Sequence, residues 1–265
     1  MALITVNFFS KAMNREVPFQ AIIPLEPADG KTNTLPLKSL YLLHGYHGGY
    51  TDWLSNSRIR DLAYKYNIAV FMPAGENHFY LDDEEMEVMY AQYVGEELVN
   101  YTRQLFPLSS NREDTFIGGF SMGGYGAIRN GLKYHDTFGR IIALSSALIT
   151  YKIHNIDKDF DNGIAKYGYY RRVFGDLTQL LGSDKDPEAI VEHLMNNECV
   201  IPQLFIACGT EDFLLDVNHM FYEYLKNKNI DVTYHETKGD HNWDFWNEYI
   251  EKGLRWAMTP VLKNS

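Results

Sequence analysis

The residues best equipped for chemistry stand in one short stretch, Thr115 to Gly124, which reads T-F-I-G-G-F-S-M-G-G. Within it Gly119-Phe120-Ser121-Met122-Gly123 has the spacing G-x-S-x-G, with β-branched and aromatic residues before it and a helix-compatible run after it. A serine between a strand end and a helix start is held outward on a strained backbone, and the flanking glycines leave the turn unobstructed. The N–H groups that open the helix then face developing negative charge. This is the layout of an activated nucleophile. It requires a base, an acid and a second oxyanion donor elsewhere in the chain.

Candidates for each occur in a consistent order. Asp212 ends Gly209-Thr210-Glu211-Asp212 and His241 ends Gly239-Asp240-His241, each just after a predicted late strand. An imidazole titrates near neutrality and suits His241 to shuttle the Ser121 proton, while Asp212 would hold the ring in one tautomer. Glu211 and Asp216 are rival acids, and His235 and His219 rival bases; His235 falls inside a strand pattern and His219 inside a helical one. Upstream, His44-Gly45-Tyr46-His47-Gly48-Gly49 is a glycine-rich loop after an apolar run, where backbone can approach a ligand closely. The backbone N–H groups of Tyr46 and Met122 are the expected oxyanion donors. His44 and His47 are expected to brace this loop, because no Asp, Glu or Cys completes a metal-like spacing around them, and no metal site is expected. Phe213 and Trp243 flank the acid and base, and are read either as walls of an acyl pocket or as core packing.

These residues need a scaffold, and the rest of the chain supplies one. Leu3 to Phe9 and Val17 to Ile23 have strand composition and read as an antiparallel pair, followed by a loop over Glu26 to Pro36. Apolar strand-length runs recur at Ser39 to Leu43, Ile68 to Met72, Thr115 to Ile117, Ile141 to Ser145 and Gln203 to Cys208, and Asp231 to His235 also reads as a strand. Helical patterns fall between them: Trp53 to Tyr66, Met86 to Phe106, the run after Ser121, Val217 to Lys228, and a final one through Trp256. The acidic run Asp82-Asp83-Glu84-Glu85 lacks the alternation of a calcium loop and reads as a solvated face or a helix N-terminus. Residues 146–200 carry no convincing strand and read as a cap over the cleft, their aromatic residues forming either its wall or a small core of their own. Alternating strands and helices predict an α/β fold with a mostly parallel, doubly wound sheet, as a single domain over 1–265.

Composition narrows the function further. Hydrophobic residues make up 45% and charged residues 22%, as in ordinary globular proteins, and the net charge of −11 (24 basic against 35 acidic residues) repels nucleic acid and anionic membranes. Cys199 and Cys208 lie in no metal or redox spacing and are expected to be free thiols. The first residues alternate like a strand and lack a basic signal region, and no apolar run is long enough to span a bilayer. A cytoplasmic protein is the expectation.

Taken together, L-L-H-G-Y-H-G-G, G-G-F-S-M-G-G, G-T-E-D-F and G-D-H-N-W-D-F-W resemble the esterase D-type serine esterases of the α/β-hydrolase superfamily. The resemblance spans essentially the whole chain and is closest to the tributyrin esterases of streptococci and lactic-acid bacteria. It implies an α/β-hydrolase fold, Ser121, Asp212 and His241 as a triad, and Tyr46 and Met122 as oxyanion donors. It further implies no cofactor, a small-molecule ester as substrate, and hydrolysis of short-chain acyl or phenolic esters, including acetyl or feruloyl esters on carbohydrate. Some members form oligomers. A thioesterase of the S-formylglutathione hydrolase kind and an acyltransferase would use the same machinery, and a catalytically silent binding module is the reading from a different class.

Overall fold

The computed structural model describes residues 1–25 and 35–259, so most of the loop expected over Glu26 to Pro36 lies outside the described residues. The strands, in chain order, are β1 (Ala2–Ser10), β2 (Arg15–Ile23), β3 (Lys38–Leu43), β4 (Ile68–Pro73), β5 (Asp82–Asp83), β6 (Val88–Met89), β7 (Thr115–Phe120), β8 (Arg140–Leu144), β9 (Gln203–Gly209) and β10 (Val232–Thr237). One eight-stranded sheet has the order β1-β2-β4-β3-β7-β8-β9-β10. β1 and β2 pair antiparallel, from Ala2 opposite Ile23 to Ser10 opposite Arg15, and β2 meets β4 antiparallel. Beyond β4 every pairing in the sheet is parallel. This is the α/β-hydrolase architecture predicted above.

Strand pleating explains why the central runs are apolar without interruption. Along β3, Tyr41 and Leu43 enter one core together with Ile128 of helix Met122–Lys133, Val191 of Pro187–Asn196 and Phe221 of Leu215–Asn227. Leu40 and Leu42 point the other way, to Trp53, Leu62 of Ile59–Tyr66 and Ile250 of Trp243–Met258. Helices therefore cover both faces, and the C-terminal ends of the parallel strands open onto one edge, where ligands bind in such sheets.

Three local departures from the expected elements have visible causes. The helix read from Met86 begins at Tyr90, because Val88–Met89 pairs with Asp82–Asp83 in a separate ribbon. Asp82 Oδ1 accepts the N–H groups of Ala91 and Gln92 at 2.8 and 3.2 Å, so one member of the acidic run does serve a helix start. The helix read over Trp53 to Tyr66 is split into Asp52–Asn56 and Ile59–Tyr66, since the Ser57 hydroxyl bonds the Trp53 carbonyl and takes the Ile59 N–H. Segment 146–200 contains helices Thr150–Ile153, Tyr167–Phe174 and Pro187–Asn196. Its Tyr170 and Phe174 join the main core beside Phe79 and Tyr125 rather than forming a core of their own.

Candidate active site

Ser121 stands at the turn between β7 and helix Met122–Lys133, with φ +54° and ψ −121°. That conformation is strained for a residue with a side chain, by about 1–3 kcal/mol, and persists only where surroundings fix it. Here the Ser121 N–H donates to the Leu144 carbonyl at 2.9 Å, and the Ser121 carbonyl accepts from Tyr125 and Ala147. The glycines matter through contact. A Cβ on Gly119 would lie 2.4 Å from the Gly123 oxygen, and one on Gly123 would lie 2.5 Å from the Leu43 oxygen.

The loops after β9 and β10 bring Asp212 and His241 to the same place. His241 Nε2 lies 3.0 Å from Ser121 Oγ, and His241 Nδ1 lies 2.9 and 3.1 Å from the two carboxylate oxygens of Asp212. The two loops can approach because Gly209 lacks a side chain; a Cβ there would sit 2.2 Å from the Gly239 oxygen. The Asp212 side chain is fully buried. Burial pushes its carboxyl up, but donors from His241, the Leu214 N–H and Ser145 outweigh that and hold it below the usual carboxylate range. The imidazole is walled by Phe213, with ring centroids 4.6 Å apart, and by Trp246, edge-on at 5.0 Å.

The loop after β3 closes the other side. Gly75 N–H donates to His44 Nε2 at 2.9 Å, which leaves the proton of a neutral ring on Nδ1, 2.8 Å from the Gly45 carbonyl. Burial lowers the His44 pKa and favours that neutral form. The Gly48 N–H also bonds the Gly45 carbonyl, at 3.2 Å. In this trans peptide the Tyr46 N–H points opposite to that carbonyl. Met122 opens its helix, so its N–H has no partner within the helix. Tyr46, Ser121, Met122 and His241 all line one cavity of about 300 Å³.

The Esterase family model matches residues 10–171. An acetyl esterase of Caldicellulosiruptor saccharolyticus is 52% identical over 260 residues, which cover 97% of this chain and 98% of that one. The chain belongs to the Esterase family. Two solved structures from Staphylococcus aureus are also similar to this esterase. The fluorophosphonate-binding serine hydrolase F, with substrate bound, is 29% identical at a TM-score of 0.85, over 98% of this chain and 99% of that one. An S-formylglutathione hydrolase is 28% identical at a TM-score of 0.83, over 97% and 99%. The esterase is a carboxylic ester hydrolase of the serine type.

The remaining candidates separate cleanly in the esterase structure. Phe213 lines the cavity, whereas Trp243 is absent from its wall and packs against Trp53, Phe120 and Trp246 at centroid distances of 4.8–5.2 Å. Of the two readings of Trp243, the geometry favours packing. Three of the rival groups are engaged elsewhere: His219 with Glu236, Asp216 with Lys152, and His235 between Phe205 and Tyr249. Asp240 accepts the backbone N–H of His241 at 2.7 Å. Residues 147–170 of the expected cap contribute Ala147, Ile149, Ile164 and Tyr170 to the cavity wall. Among the described residues no group of three His, Cys, Asp or Glu side chains is placed to hold a metal ion, and no helix is long and apolar enough to cross a membrane.

Sequence reasoning missed two supporting residues. Ser145 is fully buried with φ +45° and accepts the Trp246 indole N–H at 3.1 Å beside Asp212. Asn218 is buried in helix Leu215–Asn227, where its amide exchanges two hydrogen bonds with the Ser146 backbone, at 3.0 and 2.9 Å. The signal for Asn218 was a polar side chain on the apolar stripe of a helix.

Proposed function

We propose that Ser121, His241 and Asp212 act as a catalytic triad and that the esterase hydrolyses short-chain acyl esters through an acyl-enzyme. The observation that carries this reading is the continuous hydrogen-bond path from Asp212 through His241 to Ser121 Oγ, opening on the cavity. As Oγ attacks the ester carbonyl, its proton passes to His241 Nε2, and the carbonyl oxygen gains negative charge that the Met122 and Tyr46 N–H groups stabilise. Collapse breaks the bond to the leaving alcohol, which receives the proton from His241. Water then attacks the acyl-enzyme with His241 again as base, and the acid is released. Asp212 stays ionised and orients the ring throughout.

A cavity of about 300 Å³ is at the lower limit of small-molecule pockets and supports short acyl groups of the acetyl to butyryl (tributyrin) range. The acetyl esterase relative supports acetyl esters in particular, including those carried by carbohydrate. Likeness to the S-formylglutathione hydrolase supports thioester turnover as the second reading. We further propose that segment 146–200 serves as a cap within one domain. Two free cysteines, Cys199 and Cys208, support a cytoplasmic setting.

The test is hydrolysis of p-nitrophenyl esters from acetate to long chains, with a thioester alongside. Wild type should favour the short esters, and folded Ser121→Ala should lose about 10⁵- to 10⁶-fold in kcat. Turnover surviving in Ser121→Ala would overturn the mechanism. A preference for long chains would overturn the acyl-size reading, and a product ester formed on adding an alcohol would favour acyl transfer.

A further inference from the structure

Asn77 lies outside every motif singled out in the sequence, yet it ties together three elements. Its side-chain Oδ1 accepts the His47 N–H at 2.8 Å, and its backbone carbonyl accepts the Tyr169 hydroxyl at 2.6 Å. His47 directly follows Tyr46 and has φ +63°, a left-handed conformation uncommon without glycine. Tyr169 belongs to helix Tyr167–Phe174 and lines the cavity beside Ser121. The Tyr169 ring also packs edge-on against Tyr46 at 5.3 Å, and Tyr46 in turn covers the His47 ring at 4.0 Å. The helix thus grips the loop twice, through a ring contact and through Asn77. Burial raises the Tyr169 phenol well above its ordinary value, so the hydroxyl remains a donor.

We infer that Tyr169 and Asn77 are positioning residues for the Tyr46 oxyanion donor, so that helix Tyr167–Phe174 sets catalytic geometry as well as walling the cavity. This rests on the reading of the Tyr46 N–H as an oxyanion donor. That N–H lies in the peptide plane before Tyr46, and the plane after Tyr46 anchors the residue from its other side. His44 and Gly48 fix the preceding plane through the Gly45 carbonyl, and Asn77 fixes the following one through the His47 N–H. The first brace lies within the loop after β3, and the second is Asn77, which the cap holds through Tyr169. An oxyanion donor works only when preorganised, so loss of the second brace should weaken transition-state binding more than substrate binding.

The experiment compares Tyr169→Phe, Asn77→Ala and their double variant with wild type on p-nitrophenyl acetate, with thermal melts to confirm folding. The second readout is inhibition by a trifluoromethyl ketone, whose adduct with a serine carries a tetrahedral oxyanion. Each single variant should lose about 10- to 100-fold in kcat and in inhibitor affinity, with KM changed by less than about 3-fold. The double variant should lose no more than the worse single one, because both act on one brace. Asn77→Asp keeps the acceptor oxygen and should restore most of what Asn77→Ala loses. Wild-type kcat and inhibitor affinity in Tyr169→Phe, or a rise in KM alone, would overturn the inference and leave Tyr169 a wall. Tyr46→Pro, which lacks the N–H, tests the underlying reading separately. If it folds and retains wild-type kcat, the oxyanion assignment itself fails, whatever Tyr169→Phe does.

Discussion

Asp212 keeps its charge where burial works against it, and it does so through donors drawn from three different elements. A carboxyl held below its usual range contributes stability that is present above its unfolded pKa of about 3.9 and is lost as pH falls through the folded value. Asp212→Asn should therefore lower kcat by about 10⁴-fold at neutral pH, since the amide favours the wrong imidazole tautomer. The melting temperatures of wild type and Asp212→Asn should also converge as pH drops below about 4. A gap that widens in acid would contradict the ionised, hydrogen-bonded carboxylate. The closeness of Ser121, Asp212 and His241 was legible because each stands two or three residues from a glycine, just past a strand end. Ser145, Asn218 and Asn77 were not legible, because their bonds join segments 72–101 residues apart or meet backbone atoms that carry no sequence signature.

The turns between elements are where this sequence is least free to vary. The Gly123 backbone lies against the Leu43 and His44 carbonyls, so helix Met122–Lys133 is pressed onto the end of β3 at the point where Tyr46 and Met122 face one cavity. Gly123→Ala would drive a methyl group into two backbone oxygens that cannot rotate away, at a cost of about 3 kcal/mol or more. A lower urea midpoint together with a loss of kcat would support that account, and wild-type behaviour in both would refute it. Strand assignments followed from apolar runs, since a strand covered on both faces has no polar side to mark its limits. Helix starts were harder to read. Val88 and Met89 fit the helical period of the residues after them, and only their pairing with Asp82 and Asp83 removes them from the helix.

At the scale of the whole molecule, two cores on opposite faces of the sheet divide the labour. One face carries helix Tyr167–Phe174 and the cavity; the other carries the aromatic cluster of Trp53, Phe120, Trp243 and Trp246 beneath the imidazole. Trp243→Ala should destabilise the fold by about 2–3 kcal/mol, as removal of a half-buried aromatic ring from such a cluster does. It should leave the acyl-chain preference unchanged, and a shifted preference would return Trp243 to the pocket. The order of the sheet has a further consequence. Ser121 follows a central strand, whereas His241 follows β10, which occupies the outermost position and is made last. During synthesis, the Ser121 turn is therefore made long before the His241 loop that the proposed triad requires. On the proposed triad, turnover counts only molecules whose final strand has docked, and three of the four tryptophans, Trp243, Trp246 and Trp256, also follow that strand in the chain, so their emission reports the same late event.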